Sequence, residues 1–131
     1  MHPLSGTWVA NIAESRRHAN HQFERATMTF TVGAAEVALT YEGINASGKR
    51  EASAQTMHAD GQEHAIPEAP GFVALSTLGE RRLESMGKKD GTILGRGTYE
   101  VSDDGRTMTA TVSGTDAAGK AFDQVIVFDR A

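Results

Sequence analysis

The 131-residue chain contains no cysteine, a single tryptophan and only 6% aromatic residues. Without cysteine, disulfides and thiolate chemistry are excluded. No apolar run approaches the length of a membrane-spanning helix. The opening residues, MHPLSGTWVA, lack the charged segment and apolar stretch of a secretory leader, so a cytoplasmic location is the expectation. Thirteen Lys and Arg stand against seventeen Asp and Glu, giving a net charge of −4, with both signs spread along the chain. A concentrated basic surface is therefore missing, and neither nucleic acid nor a membrane is expected as a partner. Also missing are an H-E-x-x-H segment, a G-x-S-x-G elbow, a phosphate loop and a dinucleotide fingerprint. The apolar fraction of 39% and the length suit one core, hence one domain over residues 1–131.

What the chain does have is a dense series of turn signals. GINASGK (43–49), ADG (59–61), PEAPG (67–71), KKDG (88–91), DDG (103–105) and GTDAAGK (114–120) recur at short intervals. Asp-Gly pairs favour hairpins because both central positions tolerate positive φ. Between the turns, apolar residues alternate with Thr and other polar residues. Met28, Phe30 and Val32 alternate with threonines, as do Met108, Ala110 and Val112, and Val37, Leu39 and Tyr41 follow the same period. Period-two alternation at regular spacing predicts half-buried antiparallel strands in a sandwich or barrel. Ten strands are expected near 5–11, 23–32, 35–42, 50–59, 62–66, 72–78, 81–88, 92–102, 106–113 and 121–130. Only residues 12–19 leave room for a short helical turn.

If these strands run up and down in order, alternate connections share one end of the barrel. The connections 12–22, 43–49, 67–71, 89–91 and 114–120 are mostly long, whereas 33–34, 60–61, 79–80 and 103–105 are tight. One end is then closed by tight turns and the other ringed by loops, as a barrel with a ligand mouth would be. TYEGINASGK (40–49) and TVSGTDAAGK (111–120) repeat the pattern T-x-x-G-x-[ND]-A-x-G-K at the looped end. These read as two similar hairpin loops with left-handed glycines. In a functional reading, Asn45 and Asp116 would line the mouth.

SGTWVANIAES near the start and VIVFDR at the end carry a family resemblance. The Gly-x-Trp on the first strand resembles the lipocalins and fatty-acid-binding proteins, the calycin barrels. The whole chain is more specifically similar to small bacterial lipocalin-like proteins with the GTW…N…S opening, paired G-x-[ND]-A-x-G-K loops and a V-x-[VY]-[FYE]-[DE]-[RK] ending. The resemblance implies an all-β, up-and-down antiparallel barrel of 8–10 strands. It also implies that Trp8 closes the barrel base beneath a cation from the chain end, here Arg130, a contact worth about 0.5–2 kcal/mol. Fatty-acid-binding proteins grip a lipid carboxylate with Arg-x-Tyr on the last strand, where this chain reads Ile126-Val127-Phe128. An unpartnered buried carboxylate is costly, so that mode of fatty-acid binding is not expected. Residues 12–22 are also too few for that family's two-helix lid.

The histidines are the obvious candidates for chemistry. SRRHANHQFE (15–24) places His18 and His21 three residues apart, but two nitrogens do not complete a metal site. One axial histidine is equally insufficient evidence for haem. No metal and no cofactor are expected. As an acid–base set, His18 and His21 could act with Glu84, with Arg96, Tyr99 and Tyr41 nearby on the strands. The simpler expectation for Glu84 and Arg96 is a cross-strand ion pair on the outer face. Small residues at Ala52, Ala54, Ala74, Gly95, Gly97 and Ala110 suggest an interior that is not filled by side chains. The leading reading is binding of a small, mostly apolar or aromatic molecule inside the barrel, entered past the 12–22 loop. His18, Asn20 and His21 would supply polar contacts, Phe23, Tyr41 and Tyr99 ring contacts, and Arg96 an anchor for an acidic group. The alternatives are a cofactor-independent isomerase, lyase or hydrolase using the same pocket, and a structural or homo-oligomerising barrel without ligand.

Overall fold

A computed structural model describes residues 2–16, 23–66, 69–115 and 119–131, with the side chains of Arg16 and Phe23 excepted. Ten strands follow one another: β1 (Gly6–Arg16), β2 (Phe23–Val32), β3 (Glu36–Asn45), β4 (Arg50–His58), β5 (Asp60–Ala65), β6 (Phe72–Leu78), β7 (Arg82–Lys89), β8 (Thr92–Val101), β9 (Thr107–Thr115) and β10 (Ala121–Arg130). They form one antiparallel sheet in the order β4-β3-β2-β1-β10-β9-β8-β7-β6-β5, curled into a nearly closed barrel. The architecture is all-β, as the alternation predicts.

Over residues 12–16, where the sequence leaves room for a helical turn, the chain is strand, and 17–19 lie outside the described residues. β1 runs on to Arg16 through a wide irregularity, since Asn11 faces Val127 and Arg16 faces Val125. Ser15 makes this affordable to the backbone. Its hydroxyl donates to the carbonyl of Asn11 at 2.7 Å and accepts from the amide of Val127 at 2.9 Å, so both of these backbone groups are satisfied inside the irregularity.

Burial is concentrated at one end. The fully buried large side chains are Leu4, Trp8, Phe30, Val37, Leu83, Val101 and Met108. On its strand, each lies next to a tight turn or a chain terminus, so these side chains plug the closed end and leave the other half to smaller groups. Arg130 holds the plug from outside. Its guanidinium lies 4.1 Å from the Trp8 ring centroid and donates to the carbonyls of Gly105, Ser5 and Pro3 at 2.7, 3.1 and 2.6 Å. Trp8 Nε1 donates to the Leu4 carbonyl at 2.9 Å. Gly6 is required here, because its φ is +133° and a Cβ would lie 2.6 Å from Arg130 Nη1.

β4 and β5 are the free edges, joined through Ala59 but sharing no ladder. His58 and His64 stack across this seam with ring centroids 4.5 Å apart. His64 Nε2 donates to the Asp60 carboxylate at 2.9 and 3.0 Å, and His58 lies 3.7 Å from Glu36. The Asp60 carboxyl is held below its ordinary range, first by the backbone amide of Gln62 and then by His64. Asp104 in the β8–β9 turn is likewise lowered, by the Ser102 hydroxyl and the Arg106 amide. Both titrate below the unfolded value of about 3.9. Their stabilisation is thus complete above that value and is lost as pH falls through their folded values. The urea midpoint should therefore decline between about pH 4 and pH 2. Asp104→Asn should flatten that decline, and an unchanged acid limb in this variant would contradict the assignment.

Candidate ligand cavity

Register fixes which side chains share the interior. Val101, Met108 and Phe128 form the row nearest the closed end, followed by Leu83, Tyr99, Ala110 and Ile126. The next row reads Ser76, Ser85, Gly97, Val112 and Gln124, and the one beyond it Ala74, Gly87, Gly95, Gly114 and Phe122. Side chains thus shrink from the plug toward the looped end. The result is an internal cavity of about 630 Å³. Its walls are Ala26 and Met28 of β2, Tyr41 and Asn45 of β3, Glu51 of β4, Tyr99 of β8, Ala110 and Val112 of β9, and Gln124, Ile126 and Phe128 of β10. Ala46 and Ser47 of the β3–β4 hairpin reach its rim. A second space of about 340 Å³ adjoins Tyr99 and Val112 and is bounded by Ala74, Ser85, Gly87, Gly95, Gly97 and Gly114.

Both tyrosines of the chain are built into the cavity in the same way. The Tyr41 ring lies along its strand over Gly43, where a Cβ would come within 2.5 Å of the hydroxyl and 2.7 Å of the Arg25 carbonyl. Tyr99 lies over Gly97 and packs edge-on against Phe30 at 5.5 Å. Each glycine is displaced from its tyrosine toward the looped end, so the two hydroxyls extend in that direction from opposite walls. Burial pushes the Tyr99 hydroxyl pKa up. Burial and then the Glu51 carboxylate do the same for Tyr41. Both groups therefore stay protonated near neutral pH and serve as hydrogen-bonding groups, not bases.

At the rim, Asn45 Oδ1 accepts from the Ser47 amide, the Ser47 hydroxyl and the Lys49 amide at 3.0, 2.7 and 3.0 Å. Its carbonyl oxygen is thus committed to the hairpin. Gly48 and Gly119 have φ of +82° and +81°, the left-handed glycines expected of the repeated loops.

Of the residues singled out from sequence, Tyr41 and Tyr99 line the cavity together. His18, Asn20, His21 and Asp116 lie outside the described residues. Phe23 opens β2 opposite Asn45, but its side chain is likewise outside them. Arg96 is exposed and faces outward, since Gly97 and Tyr99 on either side of the alternation face in. It does not line the cavity of about 630 Å³ and borders the second space instead. Glu84 is also exposed on the outer face, and its cation is Arg82 at 2.7 Å, not Arg96. Strand pairing explains this, as Glu84 faces Thr98 and Arg96 faces Met86. Ala52 and Ala54 pair with Glu42 and Thr40 on the outer face; Glu51, Ser53, Gln55 and Met57 occupy the inner one. Glu51 and Gln124 are among the cavity residues that sequence reasoning missed, as are Ala26, Ser47 and Ile126. The alternation in β4 points the wrong way for Glu51, but counting back from the tight 46–49 hairpin puts it opposite Gly43.

No family model matches the chain, and no curated protein matches it. Solved structures do. The wild-type fluorescent protein UnaG superposes with a TM-score of 0.64 at 16% identity, over 98% of this chain and 97% of that one. The zebrafish ileal bile acid-binding protein complexed with cholic acid gives 0.64 at 10% identity, over 98% and 99%. Rv2717c from M. tuberculosis gives 0.59 at 16%, over 98% and 93%. The fold is that of the calycin barrels. At these identities the likeness is one of backbone path.

Proposed function

We propose that residues 1–131 act as one binding domain that takes up a small, mostly apolar or aromatic molecule in the barrel interior. Entry is from the looped end, past the connection between β1 and β2. The observation that carries this reading is the cavity of about 630 Å³, apolar at its floor and bordered by tyrosine, asparagine and glutamine toward its rim. That volume falls within the usual range for small-molecule sites, roughly 300–1,000 Å³. A sheet this size filled by side chains would instead need large residues where this chain has Ala110, Gly97 and Gly95. That a barrel of this fold is complexed with cholic acid supports a ligand of several fused or linked rings.

The test is native mass spectrometry with the neutral probe N-phenyl-1-naphthylamine. One probe molecule per chain is expected, and none at equal concentration in a variant whose cavity is filled, Val112→Trp. Adducts that persist unchanged in that variant would overturn the reading.

A further inference from the structure

The described wall of the cavity carries a single charged side chain. Among the described residues that line it, Glu51 is the only charged side chain, and no lysine, arginine or histidine faces it. The cations on neighbouring strands are engaged elsewhere. Arg50 donates to Glu42 on the outer face at 3.3 Å, Arg25 alternates outward beside inward Ala26, and Arg96 is outward on β8. Lys89, at the far rim, sits over the Phe72 ring at 5.1 Å. Glu51 faces Gly43 across the β3–β4 ladder, the position over which the Tyr41 hydroxyl lies. A carboxylate and a phenol therefore stand together on one wall near the entrance. Glu51 carries no ion pair among the described residues.

Resting on the binding reading above, we infer that Glu51 makes this barrel select neutral or positively charged apolar ligands and reject anionic ones. A ligand hydroxyl, amide N–H or ammonium group would donate to the Glu51 carboxylate, with Tyr41 beside it. A carboxylate or sulfonate at the same depth would meet a like charge, with no cation among the described lining residues. The net charge of −4 acts in the same direction at long range. This is opposite to a barrel that clamps a carboxylate with arginine, and it follows from residues on β4, not on the last strand.

Three fluorescent probes separate the terms. N-phenyl-1-naphthylamine is neutral, 1-anilinonaphthalene-8-sulfonate places a sulfonate on the same ring system, and dansylcadaverine carries an ammonium. Titrated at about 20 mM salt, where screening is weak, the neutral probe should bind at least tenfold more tightly than the sulfonate. Glu51→Gln should tighten the sulfonate several-fold and weaken dansylcadaverine several-fold, while the neutral probe changes less than twofold. Raising salt to about 500 mM should narrow the wild-type gap. Equal affinities for the neutral and sulfonated probes, or a Glu51→Gln variant that leaves their ratio unchanged, would overturn the charge preference alone. Failure of all three probes to bind would overturn the binding reading with it. Glu51 is exposed on an edge strand, so the substitution leaves the core untouched.

Discussion

Trp8→Ala will remove about 3–5 kcal/mol of stability, the usual cost of deleting a large buried aromatic. Native domains have only about 5–15 kcal/mol in total, so this one change should bring the chain close to unfolding at room temperature. The size of the loss follows from what the ring does. It is fully buried at the closed end with Leu4, Phe30, Val101, Met108 and Phe128, and its Nε1 satisfies the Leu4 carbonyl. Removing it leaves a void in the one densely packed part of the barrel. It also removes the surface on which Arg130 rests, itself worth about 0.5–2 kcal/mol. Urea titration followed by circular dichroism measures the effect. A loss below about 1 kcal/mol, the level of an ordinary surface substitution, would mean that the closed end is not the structural centre. Ligand affinity extrapolated to the folded fraction should change little, because Trp8 does not line the cavity.

Val112→Trp should have the opposite signature. Val112 lines both internal spaces and faces Gly97 and Gln124 across its two ladders. Gly97 contributes no side chain, so an indole at 112 has room to extend across the cavity without displacing the plug. Affinity for N-phenyl-1-naphthylamine should fall at least tenfold, about 1.4 kcal/mol. Stability should hold or rise, because apolar atoms fill a void instead of overpacking a core. Fluorescence titration paired with a thermal melt makes the distinction. If affinity survives, the probe binds elsewhere. If the melting temperature collapses, the space around Val112 is packed.

The barrel itself was legible because its strands obey alternation. Met28 and Phe30, Val37 and Leu39, and Met108 and Ala110 point to the same interior that the period assigns them, and the Asp-Gly turns mark the ends. The closed end was legible from Gly6-Thr7-Trp8 and Arg130, whose contact needs both chain termini to meet there. Alternation misleads where the inner face looks onto space instead of packed side chains. On β4 the apolar residues Ala52 and Ala54 face out while Glu51, Ser53 and Gln55 face in. Burial no longer sorts polar from apolar at a free edge beside a cavity, and only register against β3 decides. Arg96 lies on the outer face of the simpler expectation, but register pairs Glu84 with Thr98 and leaves its ion pair to Arg82. With glycines at 95 and 97, β8 offers no apolar contrast around Arg96 to mark which face is inner. Residues 12–16, which left room for a helical turn, run on as strand, with Ser15 supplying both a donor and an acceptor inside the irregularity of β1.

The central claim is that the barrel interior is the binding site, and amide-resolved NMR titration with N-phenyl-1-naphthylamine tests it most directly. Saturable shift changes should cluster on Ala26, Tyr41, Tyr99, Ala110, Val112 and Gln124, and outward residues such as Glu42, Arg82 and Glu100 should stay still. Changes confined to the outer face, or none at saturating probe, would contradict it.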